Sequence, residues 1–273
     1  VLVAGGGVPG TPGATETLVA LAKRTRTGVL NTFLAKGLFR FDDPAHLGTI
    51  GLQRDDLRLA HVDVPGEFAV VVTGVDDDEI PGGIPDHWER VDPGDLGSLH
   101  LPDAPSFLGR PELYGAIAAV CGPLYGDDRV PLSPVRAAGD LASALGAETV
   151  VTANAGLAGF WLGRTFPTRH PGSVRLPARA GHDVVAEVLA SEPAVVVVCG
   201  PDDEVPEVAP TGGVVVVEHW SPTGLPTTPA DRVAALTRAL GAAGVHHLEV
   251  GVAVGDVADL VAVAGPVVAW GLG

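Results

Sequence analysis

Carboxylates crowd one short turn of this chain. The apolar run Ala194–Cys199 ends in Gly200-Pro201-Asp202-Asp203-Glu204. Oxygen ligands at a strand mouth are what a hard dication such as Mg²⁺ takes, and a glycine beside them lets backbone N–H groups approach a diphosphate. Asp202 and Asp203 are therefore candidate metal ligands and Gly200 a candidate diphosphate contact; a solvated acidic turn is the competing reading. Glu218, in Glu218-His219-Trp220 after the apolar run 214–217, is a third candidate ligand or a plain strand-end residue. Asn154-Ala155-Gly156 closes another apolar run, with Gly156 suited to a close backbone approach. Gly5-Gly6-Gly7 and Gly51 also follow strand-like runs, where a turn can approach a nucleotide diphosphate or be a tight turn and nothing more.

Other reactive side chains point less clearly to chemistry. His246 and His247 are adjacent, so on a strand they face opposite sides and cannot share one metal. Ser133 sits in a proline-rich linker and Ser221 precedes Pro222, neither in a nucleophile elbow. Cys199 ends a strand where α/β sites form, yet it and Cys121 lie in apolar runs and read as reduced core thiols, with a disulfide as the other reading.

The elements that must position these residues alternate. Strand-like runs at 1–4, 29–32, 68–73, 88–91, 149–152, 194–199, 214–217, 248–254 and 266–270 are interleaved with helical spacing at 15–26, 55–60, 111–121, 135–145, 184–190, 229–243 and 256–263. Residues 47–51 read as a glycine-flanked turn entering a helix. Strand–helix alternation implies doubly wound, mostly parallel sheets, an α/β fold. The Gly- and Pro-rich stretch 122–134 divides the chain at about its middle, giving domains 1–125 and 126–273.

Composition narrows the partners. With 17 Lys plus Arg against 33 Asp plus Glu, the chain carries a formal charge of −16, which repels phosphate backbones and anionic lipid and argues against nucleic acid and membrane surfaces. No apolar run reaches the roughly 18 residues of a membrane helix. A cytoplasmic location is expected. The chain has no Met and begins at Val1 inside a strand, so a longer polypeptide is expected around it.

One stretch carries a resemblance. Thr32, Lys36-Gly37, Asp43-Pro44 and Leu47-Gly48-Thr49-Ile50-Gly51 stand where the middle domain of thiamine-diphosphate (ThDP) enzymes of the acetolactate synthase and pyruvate oxidase type has a strand-end Thr, a GKG element, a proline loop and an LGxxG turn. The run 70–74, the run 91–97 and the Pro131-Leu132-Ser133-Pro134 linker continue the order. The chain thus resembles the family's middle domain followed by a shortened diphosphate-binding-type domain. The resemblance implies ThDP held through Mg²⁺, a catalytic Glu in a first domain that this chain lacks, and a homodimer or tetramer with the cofactor between subunits. It also exposes departures. Pro201 stands where the family's GDG turn has its metal-binding Asp, and the second glycine is gone. Asn154 replaces an acid, Glu218-His219 replaces a pair of Asn, and residues 170–182 are shorter than the family's glycine-rich segment. Between Gly200 and Val214, Pro206 and Pro210 leave little room for a crossover helix.

These departures lead to the expectation of a degenerate, non-catalytic relative that serves as a structural or binding module open to protein partners, with its catalytic residues unknown. Two alternatives stay open. One is an active ThDP- and Mg²⁺-dependent 2-keto acid carboligase or decarboxylase, its first domain upstream and its metal held by Asp202, Asp203 or Glu218. The other is a nucleotide-binding module using Gly5, Gly6, Gly7 and Gly51. FAD is not expected.

Overall fold

Runs of Val dominate the strands, and strands buried on both faces are what a parallel sheet covered by helices requires. A computed structural model describes residues 1–62, 69–101, 113–204 and 213–272. It contains two five-stranded sheets, every pairing in them parallel.

The first sheet is built from β1 (Leu2–Ala4), β2 (Val29–Thr32), β3 (His46–Ile50), β4 (Val71–Thr73) and β5 (Glu89–Val91), in the order β3-β2-β1-β4-β5. The second contains β6 (Thr149–Ala153), β7 (Val174–Arg175), β8 (Ala194–Cys199), β9 (Val214–Ser221) and β10 (Gly244–Gly251), in the order β10-β9-β8-β6-β7. The α/β, doubly wound architecture expected from the sequence is what the chain forms.

Helices cover the sheets where apolar spacing and caps place them. Helix α1 (Ala14–Thr25) packs Leu18, Leu21 and Ala22 onto the first sheet and ends in Lys23 and Arg24, favourable at a helix C-terminus. Helix α2 (Gly115–Cys121) leads into the linker. Helix α3 (Pro134–Ala144) has Pro134 at its first position and Ser133 as its cap, the Ser133 hydroxyl accepting from Arg136 N at 3.0 Å. That cap is the use the fold finds for Ser133. Helices α4 (Leu157–Thr165) and α5 (Val184–Ser191) follow β6 and β7. Helix α6 (Pro229–Leu240) is capped by Thr228, which accepts from Asp231 N at 3.2 Å, and α7 is Ala258–Ala264. One apolar core runs from Val3 and Leu30 of the first sheet to Val196 and Val198 of the second, so the sheets share buried surface.

Several sequence expectations are corrected. Residues 47–51 do not turn into a helix: Leu47–Ile50 belong to β3, paired with β2, and the chain turns only at Gly51. Gly48 lies inside that strand at φ +123°, a conformation that glycine admits without strain. Residues 266–270 form no strand; Val267 makes a single antiparallel bridge to Gln53, and a 3₁₀ turn follows at Ala269–Gly271. The strand expected at 248–254 is β10, which starts four residues earlier and ends at Gly251. Two-residue β7 lies within 170–182, which carried no strand signal. Phe68, Pro111 and Glu112, and the crossover with Pro206 and Pro210, lie outside the described residues.

Candidate cofactor crevices

In open parallel sheets ligands gather at the carboxyl ends of the strands, where the strand order reverses. The first sheet reverses between β1 and β4, the second between β6 and β8.

At the first crevice the glycines face their own chain. A Cβ on Gly5 would lie 2.3 Å from the Gly74 carbonyl oxygen, and Gly7 donates its N–H to that same oxygen at 2.8 Å. Gly6 donates its N–H to Glu79 Oε2 at 3.0 Å. Asp76 N donates to Glu79 Oε1 at 2.9 Å, and the Thr32 hydroxyl donates to Glu79 Oε2. Gly51, at φ +91°, passes so close to this loop that a Cβ would lie 2.2 Å from the Glu79 carbonyl oxygen. Converging N–H groups of this kind are an anion nest. Here the anion is a buried side chain of the same chain, Glu79, 1% exposed. Burial raises its carboxyl pKa above the ordinary value, against the opposing pull of its donors from Asp76, Thr32 and Gly6. Glu79 escaped the sequence reading, although Asp76-Asp77-Asp78-Glu79 has capping-box spacing, the signal of a glutamate folding back on the chain.

The second crevice repeats the arrangement. Asp203 turns back so that its Oδ2 accepts from Gly200 N at 2.6 Å. Its Oδ1 reaches across to the end of β6, where a Cβ on Gly156 would lie 3.0 Å away; a Cβ on Gly200 would lie 3.3 Å from Oδ2. The structure thus brings Gly156, Gly200 and Asp203 together, with Asn154 and Asp202 on the flanking turns. Asn154 is half-buried and Asp202 exposed.

Glu218 does not join them. It lies inside β9, not at its end, and is fully buried. Arg232 Nε donates to its Oε1 at 3.1 Å, and Arg232 Nη2 and Trp220 Nε1 donate to its Oε2 at 2.5 and 2.9 Å. Both oxygens serve an ion pair with α6, which corrects the expectation of a metal ligand. Among the described residues no three His, Cys, Asp or Glu side chains come together in a metal-holding group. His246 and His247 lie on β10, and Cys121 and Cys199 are buried free thiols, with Cys199 pushed up to about 12 by burial and by Asp203.

Between the crevices runs a buried polar seam that sequence reasoning missed. Asp56 accepts from Leu52 N at 2.9 Å, Gln53 N at 3.0 Å and Arg164 Nη2 at 2.7 Å. Gln53 Nε2 donates to the carbonyl oxygens of Leu260 at 3.2 Å and Gly265 at 2.8 Å. Thr49 O accepts from Arg164 Nη1 and the Tyr114 hydroxyl. Leu52 and Gln53, which follow the Gly51 turn, are therefore part of the joint between the sheets. His46 Nε2 meets Asn31 Oδ1 at 2.7 Å beneath β2 and β3. Lys36 is buried nearby, its pKa held well below the ordinary value by burial and by Arg164. An arginine within the apolar helix LAGFWLGRT was the one sequence sign of this seam, since a buried Arg needs a partner.

No protein-family model matches the chain, and no curated protein matches it. Among solved structures, it resembles the X-ray structure of a Mycobacterium smegmatis protein assigned as a thiamin diphosphate-dependent enzyme, with a TM-score of 0.62 at 16% identity. The match covers 92% of this chain and 60% of the other, so this chain spans less than two thirds of that protein's length. At this identity the likeness is one of fold.

Proposed function

We propose that the chain is the middle and diphosphate-binding-type part of an acetolactate-synthase-like ThDP-family protein whose cofactor site is degenerate, and that it acts as a structural or binding module. The fold match supports the family. The observation that carries the loss of function is Asp203: its carboxylate takes the Gly200 N–H and lies between Gly156 and Gly200, where a diphosphate would need both the donor and the space. The residues present do not fit a Mg²⁺-diphosphate pair. Pro201 offers neither a side-chain ligand nor an N–H, Asp203 is turned inward, and Glu218 is bound to Arg232. Oligomerisation with copies of itself, or with other protein subunits, belongs to the same reading.

A second reading has one observation in its favour. Asp202 is exposed at the same mouth and makes no hydrogen bond to the other described residues, which leaves it available to a metal in a ThDP- and Mg²⁺-dependent 2-keto acid carboligase or decarboxylase completed by an upstream domain. The nucleotide-binding reading is disfavoured because Glu79 fills the nest at Gly6.

Calorimetric titration of ThDP into the full-length protein, with Mg²⁺ and without it, separates these readings. The proposal expects no saturable heat from a protein that melts cooperatively. Micromolar, metal-dependent binding abolished by Asp202→Ala would overturn it in favour of the enzyme.

A further inference from the structure

A groove of about 590 Å³ lies where the first domain meets the linker and the second domain, away from both crevices. Its apolar walls are Phe41, Leu113, Ala118 of α2, and Pro167. Its size falls within the range of small-molecule pockets, and its place between domains is where such pockets form. The polar side chains around it are unequal. Tyr125 has its hydroxyl committed to the Thr165 carbonyl oxygen. Arg136 is neutralised twice, by Asp140 Oδ1 at 2.8 Å and Asp128 Oδ1 at 2.7 Å. Arg169 is different. It is exposed, its Nη2 donates to Ser143 Oγ at 3.2 Å, and it forms no ion pair among the described residues. Its backbone is anchored, the Arg169 carbonyl oxygen accepting from Arg40 Nη1 at 3.2 Å. In a chain of charge −16, a guanidinium in no direct ion pair beside an apolar wall gives the groove a local positive charge, which Asp42 also feels.

We propose that this groove binds a small amphipathic carboxylate, its head on the Arg169 guanidinium and its apolar body along Phe41, Leu113, Ala118 and Pro167. Arg suits a carboxylate because its planar fork donates two parallel N–H bonds, and the flanking apolar wall lowers the local dielectric and strengthens them. The long-range field of an acidic protein opposes an anion, so recognition depends on this one contact and on burial of the ligand's body. Because the walls come from both domains, an occupant also bridges them.

The probes are 4-phenylbutyrate and its uncharged analogue 4-phenylbutanol, titrated into the full chain by saturation-transfer NMR. Phenylbutyrate is expected to bind, and Arg169→Gln to weaken it about tenfold, the loss of one charge-assisted contact. Arg169→Lys, which keeps the charge and loses the planar fork, recovers only part of that loss, and phenylbutanol is indifferent to either change. Ala118→Phe, which fills the groove, displaces both probes; a melting curve confirms that this variant is folded, and the Arg169 series decides the matter if it is not. Absence of phenylbutyrate binding to the folded protein, as when a second copy of the chain covers the groove, overturns the proposal. So does equal affinity in Arg169→Gln.

Discussion

Replacing Arg164 by Met keeps the length and apolar stem of the side chain and removes its charge. In the native chain Arg164 and Asp56 are 1% and 0% exposed, and Arg164 Nη2 lies 2.7 and 2.9 Å from the two carboxylate oxygens. The variant leaves the Asp56 carboxylate buried with the N–H groups of Leu52 and Gln53 and the neighbouring Tyr114 hydroxyl for compensation. Stranding one member of a buried pair costs about 3–5 kcal/mol. At roughly 2–4 °C per kcal/mol for a chain of this size class, Tm should fall by about 6–20 °C. Urea denaturation followed by circular dichroism gives the free energy directly, and the double variant Arg164→Met/Asp56→Asn supplies the control. Removing both charges leaves no stranded ion, so the double variant should be more stable than Arg164→Met alone by about 1 kcal/mol or more. A single-variant loss below about 1 kcal/mol, the range of an exposed pair, would refute the reasoning. So would a double variant whose loss equals the sum of the two single losses.

Burial of His46, with Lys36 adding to the effect, lowers its pKa to about 3 from 6.5, so the folded chain holds it neutral. The unfolded chain takes up the proton first; the stability is present above pH 6.5 and is lost as pH falls toward 3, and His46→Asn should flatten this acid limb in melts taken across that range. Burial pushes Cys121 up to about 11 and Cys199 up to about 12, so neither forms thiolate near neutral pH. A chromogenic disulfide reagent should therefore leave both thiols untouched in the native protein and titrate both after denaturation.

Local signals in the sequence gave a good account of the helices and the long strands. Thr228-Pro229 announces α6 through its cap, Val195–Cys199 is a strand by composition alone, and the cap that Ser133 supplies to α3 lay unread in a proline-rich linker. Residues 47–51 were misread because Gly48 and Gly51 are turn residues by local rule, whereas pairing with β2 decides the structure. The run 266–270 failed in the opposite sense: Pro266-Val267-Val268-Ala269-Trp270 is strand-like in composition but meets no strand edge beyond one bridge to Gln53. The candidate site was legible only in its glycines and acids. What each does depends on partners distant in the chain, Glu79 on Gly6 across 73 positions and Arg164 on Asp56 across 108, and no local pattern encodes such distances. Glu218 was given a strand-end role because Arg232, its partner, lies one helix further on.

Asp203 is three residues from the Gly200 N–H that it occupies. A group tethered over so short a span competes at an effective concentration on the order of millimolar or above. Any diphosphate arriving at the mouth of β6 and β8 therefore meets a resident rival that diffusion does not dilute, and its apparent affinity is divided by the fraction of time that rival steps aside. Under the proposed reading the sheet, the glycines and the Gly200 donor stay in place behind this carboxylate. Pro201 and the Arg232-bound Glu218 are separate obstacles that moving Asp203 aside would not remove.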